Sequence, residues 1–536
     1  MTTVEVREIE RKYEAPGSPG LPDLTGLRRV ACVEDRGSVA LDAVYYDTAD
    51  LRLAAAGVTL RRRTGGEDAG WHLKLPAGTD ARDEIRVPLR AGAGAGACAG
   101  VGSEGTGRVD GAAGADGSGG ADVSEGGPGA TVPPQLVRLV RSRTRGAPLV
   151  PVARLRSQRD VRHLLDKHGR RLAEVSYDQV TADSLPSGKS RAWAEIEVEL
   201  AEAGTAAFLD AMEEHLAAAG ARRSRAKSKL GRALGKRVPK PSTAPVERAA
   251  TVGDAVMAYL REQVSELVAL DPAVRRDLPD SVHRMRVAAR RLRSALSTFR
   301  FVLDPEATRH VTEGLRRLGT ELGADRDREV LTLRLYELID PLPRHEVLGP
   351  VRGRLRTWAT TRRSSTRRRA ITALNSARYL ELLSALDTLL AEPPLLPAAA
   401  APAAEGLRRG VLRDYRRLAK RVAAANTDEE RHEVRKAAKR ARYAAEAARP
   451  VLGTQAKAFA QRMKEVQEVL GEYNDCAVTR AALRELAVQA HLSGENTFTY
   501  GLLHERETRR AKAAAARFEG VWEQAAREEH RDFKID

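Results

Sequence analysis

Two hydrophobic periodicities divide this sequence near residue 240 and predict two domains of different class. Before that point, charged and apolar residues alternate, as in VEVREIERKYE at 4–14 and RAWAEIEVEL at 191–200. A period of two indicates β-strands with one polar face. After it, Ala, Leu, Arg and Glu recur at helical spacing to the C-terminus. A chain of 536 residues is also too long for one hydrophobic core.

The strand-like pattern recurs through the first 200 residues. Further runs lie at 40–48, 58–64, 70–76, 83–89, 151–165 and 170–183, and a helix is predicted at Thr205–Ala219. Because charges alternate with apolar residues in most of these runs, we expect a sheet with one polar, enclosed face.

Three segments of unusual composition mark boundaries. Residues 91–130 contain 15 Gly and no Leu, Ile or aromatic residue, which predicts a disordered insertion. A linker is predicted at 236–246, between a first domain at 1–235 and a helical domain at 247–530. The Pro- and Ala-rich stretch at 392–406 divides the helical domain into halves at about 250–392 and 405–530.

The helical part contains an internal repeat. HRMRVAARRLRSA at 283–295 matches HEVRKAAKRARYA at 432–444, an offset of 432 − 283 = 149. LGADRDREV at 322–330 matches LGEYNDCAV at 470–478, an offset of 470 − 322 = 148. Two nearly equal offsets in the same order indicate two related helical bundles about an approximate two-fold axis.

Pairs of carboxylates occupy alternate positions on two predicted strands. Glu8 and Glu10 lie near the start of the domain, Glu195 and Glu197 lie near its end, and Asp178 falls on the strand before the second pair. Neighbouring carboxylates repel one another unless a divalent cation lies between them and an anionic ligand. Oxygen ligands suit Mg²⁺ or Mn²⁺, and no His or Cys cluster competes.

Cations occupy similar positions, Lys12 on the strand of Glu8 and Glu10 and the others on other strands. They are Lys12, Arg61, Arg63, Lys74, Arg86, Arg154 and Arg156. A closed sheet with carboxylates on one side and cations elsewhere would hold a linear triphosphate and its metal. The alternative interpretation is a solvated sheet face with alternating charges.

These motifs resemble the CYTH family of triphosphate tunnel enzymes. The shared segments are EIERK (8–12), YYDTADLRLAAAGVTLRRR (45–63), HLKLP (72–76), EIRVPL (84–89), RLRSQR (154–159), AEVSYDQV (173–180), AEIEVEL (194–200) and RSRAKSKL (223–230). The resemblance implies an α+β fold, an eight-stranded antiparallel β-tunnel with flanking helices. It implies hydrolysis of tripolyphosphate or another triphosphate, or formation of cyclic AMP.

The CYTH resemblance also assigns roles residue by residue. It implies that Glu8, Glu10, Asp178, Glu195 and Glu197 bind Mg²⁺ or Mn²⁺ and that Glu8, Glu10 and Lys12 are catalytic. It further implies that Lys12, Arg61, Arg63, Lys74, Arg86, Arg154, Arg156, Lys227 and Lys229 contact phosphates.

The repeated helical segment carries a cationic stripe beside an apolar one. On a helix, His283, Arg286, Arg290 and Arg293 fall within about an 80° arc. The second copy repeats the stripe as His432, Arg435, Lys439 and Arg442. Cations packed on one face indicate a polyanionic partner, and the alternative is a solvated basic face.

The repeated segments resemble the CHAD domain. The shared segments are VHRMRVAARRLRSAL (282–296), LRRLGTELGADRDREVL (315–331), RHEVRKAAKRARYAAE (431–446) and MKEVQEVLGEYNDCAV (463–478). The resemblance implies an all-α domain of two pseudo-symmetric four-helix bundles. It implies that the two stripes bind inorganic polyphosphate in a central basic groove.

Composition restricts the partners and the setting. The net charge of +17 favours anionic partners, whereas an aromatic content of 4% argues against stacking on single-stranded nucleic acid. No helix-turn-helix or zinc-finger pattern occurs, so nucleic-acid binding is expected only as a non-specific effect. Three dispersed cysteines, the absence of a secretory signal and the absence of a long apolar run predict a cytoplasmic protein without a membrane span. Polyphosphate binding would extend this to association with polyphosphate granules.

Three functions fit these patterns. The first is a metal-dependent phosphohydrolase of tripolyphosphate or another triphosphate, with a polyphosphate-binding helical domain. The second is a non-catalytic polyphosphate-binding or granule-associated protein, and the third is an adenylate cyclase of the CYTH type. The complete carboxylate set favours catalysis over binding alone.

Overall fold

The computed structural model describes residues 3–15, 20–89, 130–239, 249–530 and 533, leaving out the side chains of 324–330, 361–366 and 530. The chain divides into two compact units, Met1–Pro241 and Ser242–Asp536. Except for residue 130, the insertion predicted at 91–130 lies outside the described residues. The same holds for the linker predicted at 236–246, apart from residues 236–239.

Antiparallel strands form the sheet of the first unit. They are β1 (Val4–Glu14), β2 (Cys32–Asp47), β3 (Thr59–Thr64), β4 (Gly70–Pro76), β5 (Ala81–Pro88), β6 (Val150–Leu165), β7 (Arg171–Ser184), β8 (Lys189–Leu200) and β9 (Arg222–Arg223). The order is β5-β4-β3-β2-β6-β7-β8-β1-β9, and an additional β5–β1 pairing closes the sheet. Because β9 has only two residues, eight strands form the tunnel, which confirms the predicted fold class.

Strand alternation separates the charged residues from the apolar ones. On β1, Glu8, Glu10 and Lys12 face the interior, whereas the ring of Tyr13 packs in an apolar cluster outside. This arrangement follows from the pleat, which sends successive side chains to opposite faces. The tunnel interior therefore carries the ionic residues, and two hydrophobic clusters lie on its outer surface. A third cluster, which includes Leu155 and Val180, lies inside one end of the tunnel.

Helices cover that outer surface. They are α1 (Arg52–Ala55), α2 (Pro134–Thr144) and α3 (Ala206–Ala218). A further helix, α4 (Lys229–Leu234), packs inside one end of the tunnel in a cluster with Leu155 and Val180. The α3 side chains Phe208 and Met212 are buried against Ile196 and Val198 of β8. Each fully buried apolar side chain of this size contributes about 2 kcal/mol through burial. The outer helices thus supply the stability that a polar tunnel interior cannot.

The second unit is helical throughout its described part. Its helices are α5 (Val252–Arg275), α6 (Ser281–Thr298), α7 (Arg309–Glu321), α8 (Gly323–Ile339), α9 (Val351–Asn375), α10 (Ala377–Ala391), α11 (Ala403–Ala424), α12 (Asp428–Leu492) and α13 (Phe498–Ala525). Gly453 interrupts α12, because its φ of 58° and ψ of −134° are not helical. This unit confirms the all-α class predicted for the C-terminal domain.

The repeated segments occupy corresponding helices, α6 and the first part of α12. Met285 and Leu292 on α6 are buried in the same hydrophobic cluster as Val434 and Ala441 on α12. Helical periodicity places the cationic stripe of each helix beside this apolar face. The packing of the two apolar faces therefore brings the two cationic stripes into one region.

The boundaries of the glycine-rich segment can be tested by deletion. Strand β5 ends at Pro88, and Val132 and Leu136 are buried in the cluster under α2. Replacing residues 91–128 by a short Gly/Ser bridge should change the melting temperature by no more than a few degrees, because the removed sequence has little to bury. Differential scanning calorimetry of both proteins measures this. A loss of ten degrees or more would show that the segment packs.

Candidate functional site

A cavity of about 630 Å³ runs through the tunnel of the first unit. It is lined by ten Lys and Arg side chains and eight Asp and Glu side chains, so the lining is predominantly ionic. Loop residues 66–68 between β3 and β4 also line it. Gly65 has a φ of 81°, and a Cβ there would lie 2.2 Å from the carbonyl oxygen of Ala40, so this turn requires glycine.

The first ionic group joins β1 to β4 and β5. The Lys74 ammonium lies 2.5 Å from a Glu8 carboxylate oxygen, and Arg86 Nη2 lies 3.2 Å from the other oxygen. Arg86 also pairs with Glu84, whose other oxygen lies 3.0 Å from His72 Nδ1. Burial raises the pKa of Glu8, Lys74 opposes the rise, and Glu84 adds to it. Two carboxylates therefore share a small set of cations at this wall.

The second ionic group joins β7, β8 and α4. Asp178, Glu195 and Glu197 each offer an oxygen, and these oxygens lie within 4.8 Å of one another. Lys229 Nζ lies 2.9 Å from Asp178, 3.0 Å from Glu195 and 2.5 Å from Glu197. Arg159 bridges Asp178 at 2.7 Å and Glu197 at 2.6 Å. An ammonium group thus occupies the centre of the most compact carboxylate cluster.

Lys12 links the two sides of the cavity. Its ammonium lies 3.1 Å from Glu10 and also bonds Glu197. Burial would raise the pKa of Glu10, but Lys12 and Lys74 outweigh it and lower that pKa to about 2. Glu199 lies opposite Glu10 in the β1–β8 pairing and has no ion-pair partner among the described residues. Burial, with Glu8 next in effect, raises the pKa of Glu199 to about 7.

Three arginines gather in another part of the cavity. Burial lowers the pKa of Arg63 to about 9, and repulsion by Arg61 and Arg159 adds to the effect. Arg63 pairs with Asp68, while Arg61 donates to the Tyr45 hydroxyl at 3.3 Å. The Nε atoms of Arg61 and Arg63 are buried without a hydrogen-bond partner among the described residues. Buried, mutually repelling guanidinium groups favour an anionic ligand.

The cavity includes most of the side chains predicted for it. Glu8, Glu10, Lys12, Arg61, Arg63, Lys74, Arg86, Glu197 and Lys229 line it, and Asp178 and Glu195 lie behind the lining in contact with Lys229. Three predicted phosphate contacts do not reach it. Lys227 is exposed, and Arg154 and Arg156 lie on the outer face in pairs with Asp42 and Asp183.

The placement of Arg154 and Arg156 corrects the prediction for β6. The inward positions of this strand are odd-numbered, so Arg159, Val161 and His163 line the cavity. Arginines occur at both even-numbered and odd-numbered positions of β6. Only the packing of apolar side chains on the outer face of the sheet decides which of the two sets faces inward. Arg159 is the last residue of the motif RLRSQR at 154–159. It lies on the odd-numbered side of this motif, which has one arginine, whereas the even-numbered side has two.

Further charged side chains belong to the cavity lining. Arg82, Glu84 and Glu199 line the cavity without having been proposed as site residues. Glu84 and Arg86 alternate on β5 as Glu8 and Glu10 do on β1, so the same period-two pattern identifies them. Glu199 continues the alternation of Glu195 and Glu197 along β8.

A groove of about 890 Å³ lies in the second unit. Seven of the eight predicted polyphosphate-binding residues line it, namely His283, Arg286, Arg290, Arg293, His432, Arg435 and Lys439. His432 Nδ1 lies 3.0 Å from Asn474 Oδ1, which orients the ring. Both cationic stripes therefore border one groove.

Arg442 does not line this groove, which corrects the eighth assignment. Its guanidinium lies over the Tyr443 ring at 4.8 Å and pairs with Glu446 at 3.4 Å. Arg440 lines the groove instead. Arg440 and Arg442 lie on opposite flanks of the apolar stripe, so the groove extends to the flank of Arg440, while Arg442 on the other flank pairs with Glu446.

The fold and the two sites define a protein with an ionic β-tunnel and a helical unit with a basic groove. The CYTH domain family matches residues 6–234, and the CHAD domain family matches residues 258–484. An uncharacterized protein of Mycobacterium tuberculosis, Rv2226, is 36% identical over 96% of this chain and 95% of its own length. The chain belongs to the family of proteins that combine a CYTH domain with a CHAD domain.

Two solved structures are each similar to about half of this chain. PptA from Streptomyces chartreusis matches 51% of this chain and 100% of its own, with 23% identity and a TM-score of 0.44. The CHAD domain from Ricinus communis matches 51% of this chain and 92% of its own, with 29% identity and a TM-score of 0.42. Within the described residues, no helix has the length and apolar composition that crossing a lipid bilayer requires.

Lys229 and Lys227 form a matched pair for testing the second ionic group. Lys229→Gln removes the ammonium from three buried carboxylates, so it should destabilise the protein by about 3 kcal/mol. Lys227→Gln removes a charge from an exposed side chain two residues away and should change stability by less than about 0.5 kcal/mol. Denaturant titration of both variants measures the difference. Equal stabilities would contradict the role assigned to Lys229.

Proposed function

We propose that the first unit is a metal-dependent triphosphatase acting on inorganic tripolyphosphate or another triphosphate, and that the second unit binds inorganic polyphosphate. One observation carries the first part. The tunnel encloses guanidinium groups that repel one another together with carboxylates grouped closely enough to bind a divalent cation. A triphosphate with its metal ion would satisfy both sets at once.

The arginine cluster supports an anionic substrate. Arg61, Arg63 and Arg159 come from β3 and β6, so a ligand bound to them would span β2, the strand that lies between these two. Arginine donates two parallel hydrogen bonds to phosphate oxygens, which also fixes the orientation of a phosphoryl group. Lys12 adds a compact charge on the opposite strand, and its ammonium contacts two carboxylates, Glu10 and Glu197.

The carboxylates fit a hard divalent cation such as Mg²⁺ or Mn²⁺. Asp178, Glu195 and Glu197 have the required oxygen spacing, but Lys229 already neutralises them. Glu8 and Glu10 likewise pair with Lys74 and Lys12, while Glu199 beside them lacks a cationic partner among the described residues. We therefore propose that the ion binds between the two groups, with Glu8, Glu10, Asp178, Glu195 and Glu197 as ligands and Glu199 as a further candidate.

The chemistry divides between the ion and the protein. A bound divalent cation would neutralise phosphate charge and lower the pKa of an attacking water. The arginines would hold the phosphate chain and stabilise charge on its oxygens as the bond breaks. The narrow ionic tunnel would limit bulk water around the reacting phosphate. These roles account for the mixture of acids and bases on one inner surface.

The metal assignment is tested with conservative variants. Glu8→Gln and Glu10→Gln should each reduce divalent-dependent phosphate release at least a hundredfold, because an amide oxygen is a poorer ligand and carries no charge. Glu5→Gln, on the exposed outer face of the same strand, is the matched control and should retain full activity. Circular dichroism checks that each variant is folded. Full activity in both folded variants would refute the assigned site.

The second unit contributes the polyphosphate site. Its groove is bordered by cations from α6 and α12, two helices that are related by the internal repeat. A thin, flexible polyanion fits between two such stripes, whereas duplex DNA is much wider and would reach only the rim. Groove binding would concentrate the protein on polyphosphate and so favour association with polyphosphate granules.

The groove is tested in the full-length protein. Replacing Arg286, Arg290, Arg435 and Lys439 together by Gln should weaken binding of long-chain polyphosphate by several kcal/mol, at about one or more per charged contact. Helicity should survive, because the apolar faces are unchanged. Titrations at two salt concentrations should show a steep salt dependence for the wild type and a shallower one for the variant. An unaffected affinity, or equal affinity of the wild type for duplex DNA, would contradict the proposal.

A further inference from the structure

A second basic surface lies on α11, outside the groove lining. Its cations are Arg409, Arg413, Arg416, Arg417, Lys420 and Arg421, which fall within about a 140° arc of the helix. We call this set the α11 stripe. Its members span about 18 Å along the helix axis. The sequence patterns described above predict no role for the α11 stripe.

The stripe is weakly neutralised. Asp414 is the single acidic residue of α11 after Glu405, and it is buried with an oxygen 2.5 Å from the Thr298 hydroxyl. Glu433 pairs with Arg421 at 3.1 Å. Four other members, Arg409, Arg416, Arg417 and Lys420, are exposed and have no carboxylate partner among the described residues. The surface therefore has a net positive charge that the protein itself does not balance.

The corresponding helix of the first half lacks this character. Counting from the first residue of each helix gives an offset of 403 − 252 = 151, so Arg413 and Arg417 correspond to Glu262 and Glu266 on α5. Glu266 pairs with Arg284 at 2.7 Å. The two helices share their buried positions, but α5 has no cation at the positions of the stripe, so the stripe does not arise merely from the internal repeat.

Contacts around Arg413 fix part of the stripe in place. Its guanidinium donates to the carbonyl oxygens of Ser297, at 2.9 Å, and Thr298, where α6 ends. Arg409 and Arg413 lie 4.7 and 5.5 Å from the centre of the Phe301 ring. Carbonyl groups at a helix C-terminus and an aromatic face both stabilise cations without neutralising them. The stripe is therefore held against the body of the unit with its charge retained.

The stripe continues into the groove through Arg440. Arg440 lines the groove, and its pKa is lowered by burial and by repulsion from Arg417 and Arg421 on α11. It is also repelled by Arg293 of α6, which lines the groove. The stripe and the groove meet at Ser297, which lines the groove and whose carbonyl oxygen accepts a hydrogen bond from Arg413 at 2.9 Å. A polyanion leaving the groove there would meet the stripe next.

We propose that the α11 stripe is an extension of the polyphosphate site that binds the part of a long chain that leaves the groove. The inference rests on the proposed binding of polyphosphate in the groove. The groove would bind polyphosphate of any length. The α11 stripe would add affinity only for chains that are long enough to extend beyond the groove. The unbranched, evenly charged polyphosphate chain matches a row of cations along one helix.

The test compares three full-length proteins with polyphosphate of increasing chain length. The stripe variant carries Arg409→Gln, Arg417→Gln and Lys420→Gln, three members without carboxylate partners. The control variant carries Arg378→Gln, Arg484→Gln and Lys512→Gln, three exposed cations that neither line the groove nor lie on α11. Both variants lose the same charge, so a general electrostatic effect would appear equally in each.

The stripe variant should bind long-chain polyphosphate at least tenfold more weakly than the wild type, and the difference should shrink as the chain is shortened. Its plot of log affinity against log salt should become shallower by about two, at about 0.7 per lost contact for a flexible strand. The control should shift far less. Triphosphate hydrolysis should be unchanged in both variants.

Equal weakening in the stripe and control variants, or a loss independent of chain length, would overturn the extension. So would a stripe variant with unchanged polyphosphate affinity but weakened binding of single-stranded RNA. Failure of the groove proposal is distinguishable, because then the wild type itself would not bind polyphosphate or the fourfold groove variant would bind as tightly as the wild type.

Discussion

Ionised side chains inside a closed sheet must neutralise one another in place, because little water reaches them. Three pairings meet this requirement in the tunnel: Lys74 with Glu8, Lys229 with Asp178, and Arg159 with Glu197. The rest of the first unit depends on this arrangement. The outward-facing apolar residues of the strands are covered by α2 and α3, whereas α4 packs with the inward-facing apolar residues at one end of the tunnel. Balanced burial of this kind contributes little stability by itself, and its use is to hold an ionic surface ready for a charged ligand.

The second unit handles charge differently. Its apolar stripes form an ordinary helical core, and the cations lie beside that core rather than inside it. Carboxylates draw some cations away from the groove, as Glu446 does with Arg442, while others stay along it. Repulsion among the remaining arginines is the physical reason to expect a polyanion, whose binding releases condensed counterions and relieves that repulsion. One chain thus presents two sites for anionic ligands, an enclosed one that mixes acids and bases and an open one that is lined mainly by cations.

The sequence predicts the fold class and much of the site because periodicity determines which residues share a face. Alternation places Glu8, Glu10 and Lys12 on one inner surface, and helical spacing places His283, Arg286 and Arg290 along one groove. It fails where both faces of an element carry similar residues. Arg154 and Arg156 on β6 and Arg442 on α12 were assigned by pattern, but outer packing and Glu446 decide their positions. The contact of Lys229 with three carboxylates depends on how α4 docks on β7 and β8, which no local pattern encodes.

The proposed function depends most on whether the tunnel hydrolyses a triphosphate. The most direct measurement is phosphate release by the purified full-length protein from tripolyphosphate, long-chain polyphosphate, ATP and thiamine triphosphate, each with Mg²⁺, with Mn²⁺ and with a chelator. We expect release from tripolyphosphate or another of these triphosphates with a divalent ion present, and none with the chelator. Binding of polyphosphate without phosphate release from any substrate, under either ion, would contradict the enzymatic claim and leave a binding protein. Undiminished release in the chelator would contradict the role of the carboxylates.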